Sequence, residues 1–170
     1  MNRRTGLSLT FLLATAVAAA GQDARPLPGI VEVQADVNAV VCSNTDERFT
    51  INGAKEPVRL PAGIYRIESW SLERVDKNGD IWKLRAKEIP ENRTFKVAEN
   101  AETVLPVGEP VCSGLTVRKE DSEFYCWHYV KGRLGEDLEL TKNQSRTDPP
   151  KLLIENEDGS YQETLTFKYG

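Results

Sequence analysis

The sequence predicts an all-β protein, built as an antiparallel β-sandwich. Three observations carry that expectation. Short runs rich in β-branched and aromatic residues recur along residues 22–170. Gly, Pro, Asn and Asp stand between the runs, where turns need them. No stretch beyond the N-terminal segment keeps an apolar 3.6-residue period for three turns, as a packed helix would.

The first runs are "IVEVQA" (30–35), "NAVVC" (38–42), "RFTI" (48–51) and "PVRL" (57–60). Pro61-Ala62-Gly63 then supplies a preset φ and a permissive residue, a turn ahead of "IYRIESWSLERV" (64–75). Asn78-Gly79 separates that run from "IWKLRAKEI" (81–89) and suits a type I′ turn, which needs a positive φ twice. "TFKVA" (94–98) and "ETVLPV" (102–107) follow. "GEPV" (108–111) is the expected module boundary. Eight or so strand candidates precede it and about five follow, a high number for one sandwich of immunoglobulin size. Two small Ig-like modules are therefore expected, 22–108 and a smaller 109–170, although one larger sandwich fits the same runs. The later runs are "LTVRK" (115–119), "EFYCWHYV" (123–130) and "DLELT" (137–141). Pro149-Pro150 gives a stiff, extended entry to "KLLIE" (151–155). Asp158-Gly159 offers a second type I′ turn before "ETLTFKY" (163–169).

Residues 1–21 have the pattern of a secretory signal peptide. Arg3 and Arg4 form a basic flank, Leu7 to Ala20 an apolar run, and Ala18-Ala19-Ala20-Gly21 a small-residue cleavage site. The run is short for a bilayer span, and no lipobox-type Cys follows it. A secreted or periplasmic location is expected, with no membrane span after cleavage. Removing the segment leaves about 150 residues, enough for a sizeable core. Two of the 22 basic residues and none of the 26 acids lie in the segment, so the remainder carries a formal charge of −6. Mild acidity without a Lys/Arg cluster argues against nucleic-acid binding. The aromatic content argues against disorder.

The stretch "VDKNGDIWKL" (75–84) has two readings. Asp76, Asn78 and Asp80 put an oxygen-bearing side chain at every second position, as a calcium loop does. Asn78-Gly79 also reads as a hairpin tip, with Val75 opposite Trp82 and Glu73 opposite Leu84, so that Val75, Trp82 and Leu84 share a face. An EF-hand loop starting at Asp76 would need Gly at position six and Glu at twelve; Ile81 and Lys87 stand there. The hairpin is the expectation. No cofactor is expected, and calcium is the one ion this tip would take. The acids of "ENEDGSY" (155–161) have the same strand–turn–strand explanation.

Three cysteines in an exported chain predict one disulfide and one leftover thiol. Cys112–Cys126 is the preferred pair, since both lie in one local hairpin region; Cys42 would then be the odd thiol. The single histidine, His128, shares a strand face with Phe124, Cys126 and Val130. A Cys126–His128 nucleophile pair would need the thiol within hydrogen-bond reach of the ring. A Cys₃His zinc site would need Cys42, Cys112, Cys126 and His128 together, and no Cys-x-x-Cys knuckle helps it. Blue copper is excluded, since it needs two histidines and the lone methionine is Met1. A partly buried His on an apolar strand face is the plainer reading.

Tyr125, Trp127 and Tyr129 make an aromatic row on the other face of the same run. Aromatics form strands and dominate cores, so a core face is expected. Exposed, the row would stack on sugar rings or receive a partner strand, and it is the best candidate binding surface in the chain. No Gly-x-Ser-x-Gly elbow, Walker loop, dinucleotide fingerprint or His-Glu-x-x-His motif occurs. Nothing singles out a carboxylate pair for glycoside hydrolysis. Asn92-Arg93-Thr94 and Asn143-Gln144-Ser145 are glycosylation sequons.

"PVRLPAGIYRIESW" (57–70), and within it "LPAGIY" with Tyr65, resembles the turn-and-strand unit of prealbumin-like and carboxypeptidase-regulatory-like β-sandwich modules. It covers about a tenth of the chain after residue 21. The resemblance implies a non-catalytic sandwich module and transfers no functional residue. "PPKLLIENEDGSYQETLTFKYG" (149–170) looks like the closing hairpin of a second such module. The functional expectation is an exported, non-enzymatic β-sandwich that binds or scaffolds a protein, glycan or cell-envelope partner. A small carboxylate-dependent hydrolase and a calcium-dependent adhesion module are the alternatives.

Overall fold

The computed structural model describes residues 27–90 and 92–168. The expected segment 1–21 and the last residue of the "ETLTFKY" run lie outside them. The described residues are all β, with no helix. The strands in chain order are β1 (Pro28–Glu32), β2 (Val37–Ser43), β3 (Arg48–Asn52), β4 (Val58–Pro61), β5 (Gly63–Val75), β6 (Ile81–Glu88) and β7 (Thr94–Val97). Then come β8 (Glu102–Val104), β9 (Cys112–Glu120), β10 (Glu123–Lys131), β11 (Asp137–Lys142), β12 (Ser145–Arg146), β13 (Lys151–Glu155) and β14 (Gln162–Thr166).

Three sheets form. A three-stranded sheet has the order β4-β1-β8, with β1 and β8 parallel. A nine-stranded sheet runs β3-β2-β5-β6-β11-β10-β9, with β7 on β5 and β12 on β11. The hairpin β13-β14 stands as a third sheet. Gly108 does not divide the large sheet: β11 pairs with β6 over six residue pairs, and Leu138 of β11 joins the main core.

The core lies between the small sheet and the first half of the large one. Val31 and Leu60 from the small sheet meet Val37, Ala39, Val41, Ile51, Tyr65, Ile67, Trp70, Leu72 and Val97. Each Val, Leu or Ile fully buried there contributes about 1.5–3 kcal/mol. The alternation of β5 explains its reach. Tyr65 and Ile67 point inward at odd positions, Trp70 and Leu72 at even ones. A bulge between the Val41–Ile67 and Val40–Ser69 pairs absorbs Glu68 and resets the parity. Pro61-Ala62-Gly63 is a corner between sheets, not a hairpin turn, because β4 belongs to the small sheet and β5 to the large one. Tyr65 closes that corner, donating from Oη to the Pro61 carbonyl at 2.8 Å. Phe49 and Phe95 flank its ring.

Candidate functional site

Beyond the core, β9 and β10 form a long arm. The two strands pair over nine residues, from Glu120–Glu123 at the tip to Cys112–Lys131 at the base. β10 meets β11 through a single register pair, Lys131–Asp137. Alternation gives the arm two faces. One carries Cys112, Gly114, Thr116, Arg118 and Glu120 beside Glu123, Tyr125, Trp127, Tyr129 and Lys131. The other carries Ser113, Leu115, Val117 and Lys119 beside Phe124, Cys126, His128 and Val130.

The aromatic row is on the surface. Tyr125, Trp127 and Tyr129 are 41%, 49% and 36% exposed. This corrects the expectation of a core face: no sheet covers that side of the arm among the described residues, so the tendency of aromatics to fill cores misplaced the row. Tyr125 and Trp127 rings lie 6.1 Å apart with planes 18° from parallel. Tyr129 lies across the strand onto Gly114; a Cβ at that glycine would fall 2.4 Å from the ring's Cζ and Oη. Only the bare backbone of Gly114 leaves room for the ring there. Charge rims the row. Tyr125 Oη donates to Glu123 at 2.8 Å, and that bond holds the phenol above its ordinary pKa. Arg118 pairs with Glu120 at 2.8 Å and stands opposite Tyr125.

The other predicted sites fare differently. The three cysteines are free thiols. The preferred Cys112–Cys126 bridge is ruled out by register, since Cys112 faces Lys131, five residues from Cys126. Five strand residues span about 17 Å, whereas a disulfide joins Cα atoms about 4.4–6.8 Å apart. Cys42 is buried in β2, with its sulfur 3.4 Å from an Arg66 nitrogen. Cys126 and His128 share a face as expected, but the ring's Nε2 lies 2.9 Å from Ser113 Oγ. No cluster of three or more His, Cys, Asp or Glu suited to a metal occurs among the described residues, so the Cys₃His set is not assembled.

The tip of β5-β6 is a hairpin with a different loop from the one expected. Val75 pairs with Ile81 and Arg74 with Trp82. The loop is Lys77-Asn78-Gly79, and only Gly79 has positive φ, +86°. Gly79 N–H donates to the Asp76 carbonyl and Asp76 N–H to the Asp80 carbonyl, both at 3.0 Å. This is a turn followed by a glycine bulge. The one-residue slip moves Val75 off the Trp82 face and leaves it 66% exposed.

Asp76 and Asp80 serve this loop. Asp76 accepts from the N–H groups of Asn78 and Asp80 and from Trp82 Nε1, at 2.8, 3.1 and 3.0 Å. Asp80 accepts from Asn143 at 2.7 Å and pairs with Lys142 at 2.6 Å. Both carboxyls are held below their ordinary pKa, Asp76 chiefly by the Trp82 indole and Asp80 by Lys142. Every oxygen of the two side chains therefore faces a protein donor. Asn143 itself is the first residue of a two-residue turn, with φ +49° followed by Gln144 at +66°. That turn has the type I′ geometry expected elsewhere.

Comparison with protein-family models, curated proteins and solved structures finds no match to this chain. The site must be read from its own chemistry.

Two features escaped the sequence reading. Glu136 is 2% exposed and accepts from Trp70 Nε1 at 2.6 Å and from Leu134 N–H at 2.8 Å. Its place in the loop "GRLGED" gave no sign of burial. Glu32 on β1 neighbours Glu102 on β8; burial first, then the Glu102 charge, pushes its carboxyl upward. A hydrolytic pair would also need a cleft for its substrate. The pocket beside Glu32 holds only about 200 Å³, and Glu102 is not in its lining.

Proposed function

We propose that this is an exported, non-enzymatic binding protein whose sandwich holds out the β9-β10 arm, and that Tyr125, Trp127 and Tyr129 form its contact surface for a glycan of the cell envelope. The observation that carries the reading is the exposed row, with Tyr129 seated against Gly114. A ring seated against backbone offers its free face to the C–H face of a sugar. Arg118, Glu120, Glu123 and Lys131 stand around the row as hydrogen-bond partners for hydroxyls. Aromatic stacking with a polar rim fits a ligand that is apolar on its ring faces and polar at its edges. None of the three aromatics belongs to the core cluster.

Trp127 makes a direct test possible, because it is half exposed whereas Trp70 is buried and Trp82 is partly buried, and comparison with Trp127→Phe separates its emission from theirs. Titration with envelope polysaccharide fragments is expected to shift tryptophan emission. Trp127→Ala is expected to weaken binding about tenfold. Tyr125→Ala and Tyr129→Ala should each weaken it too, with an unchanged melting temperature. Full binding by the triple variant would remove the row from the site. Absence of any glycan-induced change in the wild type would remove the ligand class.

A further inference from the structure

β9 is the outer edge of the nine-stranded sheet, and among the described residues it pairs with β10 alone. The two-residue turn Asp121-Ser122 makes Glu120 and Glu123 a hydrogen-bonded pair. The even-numbered residues of β9 therefore bond to β10. Ser113, Leu115, Val117 and Lys119 turn their N–H and C=O groups outward. Leu115 is 42% exposed and Val117 53%. A long edge with apolar side chains is a template for another strand, and a two-stranded ribbon is marginally stable alone.

We propose that the strand seated on this edge is β9 of a second copy of this chain, antiparallel, with the two-fold axis at Thr116. The inference goes beyond the glycan reading and does not depend on it. In this register all nine residues of one strand overlap all nine of the other. Outward-facing residues meet outward-facing residues, Leu115 with Val117 and Ser113 with Lys119, as the hydrogen-bond phase requires. Thr116 meets Thr116, a favourable cross-strand pair.

The charges also match. Arg118 falls opposite the other copy's Gly114, where no charge opposes it. Glu120 falls opposite Cys112, with Lys131 next along the same row, so an acid of each copy approaches a base of the other. No like charges face one another. Moving the axis two residues, to Arg118, would set that cation against itself. The product is a four-stranded ribbon, β10-β9-β9-β10, with both aromatic rows on one face.

Sedimentation equilibrium of the purified protein tests this, with a dimer mass expected. Val117→Pro deletes an outward N–H without touching a β10 bond, and is expected to give a monomer with its circular dichroism preserved. Register is tested by cross-linking, with Cys42, Cys112 and Cys126 replaced by Ser. Under mild oxidation Thr116→Cys is expected to form a covalent dimer, because facing residues there lie about 4.5 Å apart. Arg118→Cys should not, its two copies being four residues out of step. A wild-type monomer at every concentration overturns the proposal. So does a dimer that survives Val117→Pro, or one that Thr116→Cys fails to trap.

Discussion

Glu136 joins the two halves of the large sheet through its carboxylate. Its oxygens accept from the indole of Trp70, on β5, and from the backbone of Leu134, in the loop between β10 and β11. Removing the carboxylate leaves the buried Trp70 indole and the half-buried Leu134 N–H without an acceptor, and losing the partner of a buried donor costs about 1–3 kcal/mol. Glu136→Ala is therefore expected to lower unfolding free energy by about 3 kcal/mol, read from urea denaturation. Glu136→Gln keeps one carbonyl oxygen and turns an N–H₂ toward the second donor, so about half that loss is expected. Equal losses for the two variants would mean that packing, not hydrogen bonding, is what Glu136 supplies. The residue shows why single positions are hard to read from sequence. An acid that follows Gly135 and precedes Asp137 reads as a solvated loop, and its burial depends on Trp70, 66 residues away.

At the scale of elements, two loops share one design. Lys77-Asn78-Gly79 and Arg133-Leu134-Gly135 each close with an i→i+3 bond and a glycine at φ +86° or +83°. A Cβ at either glycine would meet nothing within 4 Å, so only backbone strain opposes a side chain there. Gly79→Ala and Gly135→Ala are each expected to cost about 1–2 kcal/mol, the penalty of a left-handed L-residue. Thermal unfolding would check this; no loss at either site would show that the loop relaxes to another turn. The strands themselves were largely legible: each run singled out by β-branched and aromatic residues contains or overlaps an observed strand. Register was not. Asn-Gly is compatible with both a two-residue and a three-residue loop, and the choice between them decides which face Val75 takes. The aromatic row shows the same limit. Its residues and their shared face follow from alternation, but exposure depends on whether another layer covers them, which is a property of the whole chain.

The whole molecule has a gradient of packing from one end to the other. The core draws on β1 to β7, the segment after β8 and Leu138, and it takes no residue from β9, β12, β13 or β14. Among the described residues β13 and β14 pair only with each other, and nearly all of their side chains are exposed. Phe167, just past β14, meets the His128 ring at 5.8 Å and so touches the arm rather than the core. Local opening free energy follows buried contacts, so the elements should open independently. Amide hydrogen exchange is expected to be slowest in β2 and β5, which lie side by side at the centre of the core half. It should be fastest in β13 and β14, by about 3 kcal/mol or more in opening free energy. The arm should fall between them. Exchange in β9 also separates its two sets of amides, since those of the even residues are bonded to β10 in any state. Those of Leu115 and Val117 should be slow only where a second strand covers the edge, and should quicken on dilution. Uniform protection from β2 through β14 would contradict the gradient. It would mean that the C-terminal hairpin and the arm unfold together with the sandwich as one cooperative unit.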